Sequence, residues 1–147
     1  VGQLIRGKGA DSFVRMLTGL RTPYRALVAG DGNEAANLKN LAAELKIDVE
    51  FTGFLPSTET VYSQADLAVF PFRWQEPFGL VGLEAASHGI PVVAFDLGGV
   101  REWLRDGETG LLVPPGNEAA LTDAVSALLA DPVRREEMGA RGRRMAA

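Results

Sequence analysis

The sequence has no cysteine and a single histidine, His88, among its 147 residues. The lack of cysteine excludes disulfide frameworks, thiolate zinc sites and cysteine nucleophiles, and it fits a reducing compartment. One imidazole is too few for a histidine-rich metal site, and a Ser-His-Asp triad would have to use His88. Sites built from cysteine are therefore excluded, and any site built from histidine would depend on His88 alone.

An excess of positive charge is also missing, because 15 Lys and Arg face 19 Asp and Glu and the net charge is −4. Such a chain has no basic field to neutralise a phosphate backbone, so we expect no nucleic-acid partner. No apolar run is long enough to span a bilayer, and no signal peptide precedes the first predicted strand. We expect a chain without a transmembrane segment that is cut from a longer protein.

The length and the apolar content of 46% suit one ordinary globular domain over residues 1–147. Short apolar runs bounded by Gly, Pro or Asp alternate with segments of helical spacing. The predicted strands are residues 1–5, 26–29, 49–52, 67–70, 91–95 and 111–113. The predicted helices are a segment starting at Asp11 and residues 33–46, 79–87, 99–105, 118–129 and 132–144.

This alternation predicts an α/β fold, a Rossmann-like doubly wound domain with a mostly parallel sheet and helices on both faces. In such folds ligands bind beyond the carboxyl ends of the strands. The loops that follow the strands are therefore the places to look for a site.

The most informative loop runs into the predicted helix at residues 79–87. Pro77 fixes φ near the helix start, and Gly79 leaves room for a ligand to approach the backbone. The first amides of the helix and its dipole then favour an anion such as a phosphate. Glu76 and Glu84 place a carboxylate on either side, and carboxylates accept hydrogen bonds from hydroxyl groups. The pattern suggests a phosphate carried between two polyols, as in a nucleotide sugar.

Two glutamates at this spacing mean little alone, so the surrounding segments decide the interpretation. Residues 76–84, with Pro-Phe-Gly-Leu between the glutamates, are followed by residues 88–93, 98–102 and 106–116. Together these segments resemble the donor-binding, C-terminal half of retaining GT-B glycosyltransferases of the group 1, GT4-like family. The turn at residues 30–32 and residues 53–56 fit the same pattern, so the resemblance covers nearly the whole chain.

The resemblance implies a role for each matching residue. Glu76 would hold the donor sugar, the amides around Phe78, Gly79 and Leu80 the diphosphate, and Glu84 the ribose. Gly53 and Phe54 would line the nucleobase slot. Lys8, one of three lysines in the chain, would neutralise the leaving diphosphate. The resemblance implies no metal and no cofactor besides the nucleotide-sugar substrate.

One residue departs from the family pattern. The family usually pairs the lysine matched by Lys8 with an arginine immediately after the glycine of the first strand, whereas this sequence has Gln3 after Gly2. Glutamine can donate a hydrogen bond to a phosphate oxygen but cannot balance its charge. Arg6 is no replacement, because strand parity would aim it at the opposite face. We expect weaker stabilisation of the donor phosphate than in the family.

The resemblance also concerns what lies outside this chain. It implies a preceding acceptor-binding domain, a reaction in the cleft between two domains, and little or no transfer by this half alone. It also implies a role in cell envelope polysaccharide synthesis and a cytoplasmic location, with the inner membrane face as a site of peripheral contact. The sugar, the nucleobase, the acceptor and the oligomeric state stay open.

Alternatives to a transferase remain at this point. The chain could be a non-catalytic nucleotide-binding or interaction module, or belong to an epimerase or phosphorylase of the same architecture. A nicotinamide-dependent dehydrogenase fits poorly, because Ala35 stands where the dinucleotide motif has its third glycine. Single residues also have simpler roles: Lys8 as a solvated lysine, Glu84 as an ordinary helix carboxylate, His88 as a helix cap, and Trp74 in loop packing.

Overall fold

The computed structural model describes residues 1–74 and 79–147, and it has an α/β architecture. The strands are β1 (Leu27–Ala29), β2 (Glu50–Gly53), β3 (Ala68–Phe70), β4 (Val92–Phe95) and β5 (Gly110–Val113). The helices are α1 (Ala10–Leu17), α2 (Ala35–Glu44), α3 (Glu59–Tyr62), α4 (Leu80–Ser87), α5 (Glu118–Leu129) and α6 (Pro132–Ala146). Short 3-10 helices cover Arg6–Lys8 and Gly98–Glu102.

All strand pairs are parallel, as the alternation of strands and helices predicts. β1 pairs with β2, and β3, β4 and β5 form a second set in that order. Within the described residues no ladder joins β1 to β3, so the parallel strands form two hydrogen-bonded sets. In parallel strands the carboxyl ends of neighbouring strands lie at the same edge, and a ligand site is expected at that edge.

Central strand β4 shows why the apolar runs have no alternation. All four of its residues are buried, with Val93 and Phe95 in one core cluster and Val92 and Ala94 in another. Successive side chains of a strand point to opposite faces, so both faces of β4 are covered. One cluster includes residues of α1, α5 and α6, and the other packs on α4 and Trp103.

Residues 1–5 are not a strand, which corrects the prediction made for them. Two N–H groups, those of Gly2 and Leu4, donate to the carbonyls of Ala29 and Asp31 at 2.9 Å in both cases, so the segment runs beside the end of β1. Gly2 has a φ of 135°, outside the strand region. The chain then turns into the 3-10 helix Arg6–Lys8, which ends the extended segment.

The helix predictions hold best where the helices are long. α5 has the predicted bounds, α1, α2, α4 and α6 lie within a few residues of theirs, and the helix predicted at residues 99–105 is the short 3-10 helix Gly98–Glu102. Within the described residues no helix has the length and apolar character needed to cross a membrane.

Glycine at position 82 lets α4 lie directly on the ring of Trp103. A Cβ built at Gly82 would come within 2.2 Å of that indole, which is 4% exposed and part of the core. We expect Gly82→Ala to lower the free energy of unfolding by roughly 1–3 kcal/mol, because the ring must shift. Urea unfolding measures this difference.

Gly142→Ala is the matched control for this prediction. Gly142 also lies in a helix, but its nearest neighbours would be at an ordinary 3.7 Å from the added Cβ. Alanine should there keep or raise the stability, because it favours the helix by about 0.5–1 kcal/mol over glycine. Equal effects of the two substitutions would show that Trp103 does not limit position 82.

Candidate functional site

The segments that follow β1 and β2 meet residues 2–4 at the carboxyl edge of the strands. Gly30 N–H donates to the carbonyl of Gly53 at 3.0 Å, and Gly2 N–H donates to Ala29. A Cβ at Gly30 would lie 1.8 Å from the Gly2 carbonyl oxygen, and one at Gly32 would lie 2.5 Å from that of Leu4. Only glycine permits this approach. The two glycines therefore bring the segment with Gln3 to the carboxyl ends of β1 and β2.

Gly53 and Phe54 form an open corner of this edge. Gly53 has a φ of 71°, and nothing lies within 4 Å of the position its Cβ would take. Phe54 is 76% exposed, the most exposed of the large apolar side chains described. An uncovered aromatic ring beside a glycine offers a flat apolar surface on which a planar group can stack.

Lys8 ends the 3-10 helix Arg6–Lys8, and Gly9 follows it in the left-handed conformation. Its ammonium lies 5.5 Å from the centroid of the Phe72 ring. Lys8 and Gln3 line one cavity of about 500 Å³, whereas Arg6 lines a different, polar cavity. Arg6 is thus separated from Gln3, as expected, although a 3-10 turn and not strand parity separates them.

The start of α4, the helix between β3 and β4, presents main-chain donors. Gly79, with a φ of 80°, is the residue before the helix, and exposed Leu80 is its first residue. The first N–H groups of an α-helix have no partner within the helix and carry the positive end of its dipole. The first turn of α4 contains no acidic side chain that would repel an anion. This helix start can therefore accept a phosphate.

Glu84 lies one turn further along α4, exposed to solvent. One of its carboxylate oxygens accepts a hydrogen bond from the Thr58 hydroxyl at 3.1 Å. Tyr62 is close by: burial, with a smaller contribution from the charge of Glu84, raises the pKa of its phenol, which donates to the Val81 carbonyl. The Glu84 carboxylate is thus held near α3, and a carboxylate has further lone pairs that can accept hydrogen bonds from hydroxyl groups.

Comparisons of the sequence and of the fold with known proteins agree on the protein family. The family described as Glycosyl transferases group 1 matches residues 1–145. The chain is 37% identical to the GDP-mannose-dependent alpha-(1-6)-phosphatidylinositol monomannoside mannosyltransferase of Mycolicibacterium smegmatis, over 99% of this chain and 42% of the relative. It is 41% identical to the D-inositol 3-phosphate glycosyltransferase of Nocardia farcinica, over 96% of this chain and 34% of that protein.

The chain belongs to the group 1 glycosyl transferases. Its fold agrees: Anabaena Alr3699/HepE, solved in complex with UDP, superposes with a TM-score of 0.93 at 26% identity over 99% of this chain and 42% of that one. Sucrose-phosphate synthase from Thermosynechococcus elongatus gives a TM-score of 0.92 at 33% identity, over 99% of this chain and 39% of the synthase. These neighbours are GT-B glycosyltransferases, and the matched part is a Rossmann-like half.

This group 1 chain spans only part of its relatives, between 34% and 42% of the length of the two named above. The activity and substrates of the whole protein therefore need separate tests. The expected diphosphate, nucleobase and ribose positions in this chain stay predictions. Glu76 and Phe78, predicted to hold the donor sugar and the diphosphate, lie outside the described residues.

Two side-chain contacts near the candidate site residues were not anticipated from the sequence. Thr58 reaches Glu84 from the loop before α3, and Arg73 binds Asp11 at the start of α1. Both contacts join residues that are far apart in the chain, so no local sequence pattern predicts them. His88 does cap the end of α4, as its simpler interpretation predicts, with Nδ1 2.8 Å from the Glu84 carbonyl oxygen. The described residues contain no group of three candidate metal ligands.

Proposed function

We propose that this chain is the nucleotide-sugar binding domain of a retaining glycosyltransferase whose acceptor is bound by a preceding domain. One observation carries the proposal: the segment after β3 contacts the Lys8 loop, through Phe72 and the N–H of Arg73, and α4 with Glu84 is the next helix along the chain. A cation, a set of main-chain donors and a carboxylate are the groups that a diphosphate and a ribose need. Complexes of Alr3699/HepE with UDP and with UDP-glucose support a nucleotide-sugar donor.

The proposed chemistry assigns one task to each group. The N–H groups of Gly79 and Leu80 bind the diphosphate, Glu84 accepts hydrogen bonds from the ribose, and Gly53 and Phe54 face the nucleobase. As the glycosidic bond breaks, negative charge grows on the leaving diphosphate. A fixed ammonium at Lys8 stabilises that charge most in the transition state, so it lowers the barrier without a metal ion. Glu76 completes the site by holding hydroxyl groups of the transferred sugar.

Incubation of the whole protein with UDP-, GDP- and ADP-sugars tests this proposal. We expect one donor to be consumed and the new glycosidic bond to keep the anomeric configuration of the donor, as read by NMR. An inverted product would contradict the retaining mechanism. Nucleotide binding without consumption of any donor, with a range of acceptors present, would favour a non-catalytic module instead, and an altered free nucleotide sugar would favour an epimerase.

Gln3 allows a gain-of-function prediction. Its exposed side chain lines the same cavity as Lys8 but carries no charge. We expect Gln3→Arg in the whole protein to raise kcat/KM for the donor by about tenfold, because a charge-assisted hydrogen bond to a phosphate contributes roughly 1.5–3 kcal/mol. Steady-state kinetics with the accepted donor measure the change, and Gln3→Met, similar in length, is the uncharged control. Unchanged or lower turnover in Gln3→Arg would contradict the role of position 3.

A cytoplasmic location with peripheral contact to the inner membrane face, and a role in cell envelope polysaccharide synthesis, complete the proposal. The name of the mycobacterial relative, which specifies a phosphatidylinositol monomannoside acceptor, supports them. We assign the membrane contact to the acceptor-binding domain. Fractionation of cells that express the whole protein tests the location.

A further inference from the structure

Arg73 spans the loop that carries Lys8. This arginine follows β3, and its guanidinium donates to the Arg6 carbonyl at 3.5 Å on one side of Lys8 and to the carboxylate of Asp11 on the other. A third, longer contact of 3.4 Å reaches the Ser12 hydroxyl. The planar guanidinium can make these contacts together because its N–H donors point in fixed directions. One side chain thus bridges both ends of the turn between residues 6 and 12.

The main chain beside Arg73 strengthens the same connection. The N–H groups of Arg73 and Trp74 both donate to the Gly7 carbonyl, at 2.9 and 3.4 Å. The Trp74 ring covers Gly7, where a Cβ would lie 2.1 Å from the indole. Gly9 approaches Pro71 as closely, since its Cβ would meet the Pro71 carbonyl oxygen at 1.7 Å. Residues 71–74 and residues 7–9 are therefore packed against each other on both sides of Lys8.

The electrostatics of this contact are those of a partly buried ion pair. The side chains of Arg73 and Asp11 are 33% and 26% exposed. Burial opposes ionisation of Asp11, but hydrogen bonds from Arg73 and Arg15 outweigh it and hold the pKa of this carboxyl below its ordinary value. Asp11 therefore stays charged and keeps Arg73 in place over the working pH range.

We propose that Arg73, anchored on Asp11, is a positioning residue that fixes the loop of Lys8 in the geometry needed for sugar transfer. This inference rests on the proposed function, because it assigns Arg73 a task in that reaction. Arg73 acts through Lys8 and not on the donor directly. Since the ammonium of Lys8 matters most when the diphosphate leaves, a displaced loop should lower kcat and leave donor binding nearly unchanged.

Arg15 provides a matched control within the same cluster. Its guanidinium binds the same Asp11 oxygen at 2.7 Å, one helical turn away. Both arginines stabilise the charge of Asp11, but among the contacts described only Arg73 reaches the loop of residues 6–9. Arg15→Ala therefore removes a similar ion pair without releasing Lys8, and it separates positioning from general stability.

The experiment measures donor kinetics of the whole protein with Arg73→Ala, Arg73→Lys, Arg15→Ala and Lys8→Ala, and with Lys8→Ala and Arg73→Ala combined. We expect Arg73→Ala to lower kcat about tenfold or more, since a small misplacement of a catalytic group has effects of this size. The donor KM should change less than about threefold by the same reasoning. Arg73→Lys should lie between wild type and Arg73→Ala, Arg15→Ala should match wild type, and Arg73→Ala should cost nothing further once Lys8 is alanine.

Several results would overturn the inference. Equal kcat values for Arg73→Ala and Arg15→Ala would do so, as would a full additional loss from Arg73→Ala in the Lys8→Ala background. Thermal unfolding of each variant and acrylamide quenching of Trp74 identify a variant that has lost its fold, in which case Arg73→Lys decides by the same criteria. A wild-type protein that transfers no sugar would overturn the proposed function and this inference together, whereas active wild type with indifferent Arg73 variants overturns this inference alone.

Discussion

Replacing Lys8 by alanine in the whole protein should lower kcat for sugar transfer by about 10²–10³-fold, the usual effect of removing one preorganised group that stabilises developing charge. Lys8 is fixed at the end of a 3-10 helix, with Gly9 capping the turn and its ammonium 5.5 Å from the Phe72 ring. A group held in this way needs no reorganisation when the diphosphate begins to leave. The measurement is steady-state turnover of the accepted donor at saturation.

Lys39→Ala is the control for Lys8→Ala. Lys39 is one of the two other lysines of the chain and lies exposed on α2. The Lys39→Ala substitution removes the same charge from a different part of the protein, so the kcat of this variant should stay within about twofold of wild type. If Lys8→Ala transferred sugar as fast as Lys39→Ala, the electrostatic role of Lys8 would be wrong.

Replacing Glu84 by alanine should raise the donor KM by about 10–100-fold, because hydrogen bonds to a charged group contribute roughly 1.5–3 kcal/mol. The carboxylate is exposed on α4 and held by the Thr58 hydroxyl at 3.1 Å, so it is already in place before the donor binds. We expect a smaller effect on kcat, since the ribose does not change during the reaction.

Thr58→Val and Glu59→Ala are the comparison variants for Glu84→Ala. Loss of the Thr58 hydroxyl frees the Glu84 carboxylate without removing it, so the donor KM should rise only about two- to fivefold, the effect of one ordinary hydrogen bond. Glu59, an exposed carboxylate at the start of α3, should have no effect beyond about twofold. A donor KM that is the same in Glu84→Ala and Glu59→Ala would contradict ribose binding by Glu84.

Regular periodicity accounts for the parts of the fold that the sequence predicts correctly. α5 is 12 residues long, begins at an Asn117 cap and shows its apolar stripe over three turns. β4 is a continuous apolar run because both of its faces are buried. α3 has only four residues and the 3-10 helix Arg6–Lys8 only three. Segments this short have no period to detect, so the extended pattern of residues 1–5 was a poor guide to the turn that follows.

The candidate site also contains residues that can be predicted from the sequence and contacts that cannot. Gly79, Leu80 and Glu84 can be predicted because a helix start and a side chain one turn later are local features. The contact between Arg73 and Asp11 cannot, because the two residues are 62 positions apart and only the packing of α1 against the end of β3 brings them together. Long-range ion pairs of this kind leave no pattern in a single sequence. The sequence therefore predicts local features, such as the start of α4, better than the long-range contacts that hold them.

A structure of the whole protein with bound UDP, GDP or ADP is the most direct measurement of the central claim. We predict that the diphosphate oxygens accept hydrogen bonds from the N–H groups of Gly79 and Leu80, that Lys8 faces the same diphosphate, and that Glu84 accepts from the ribose hydroxyls. A nucleotide bound away from the start of α4, or a Glu84 carboxylate that contacts only Thr58 while the ribose lies elsewhere, would contradict it.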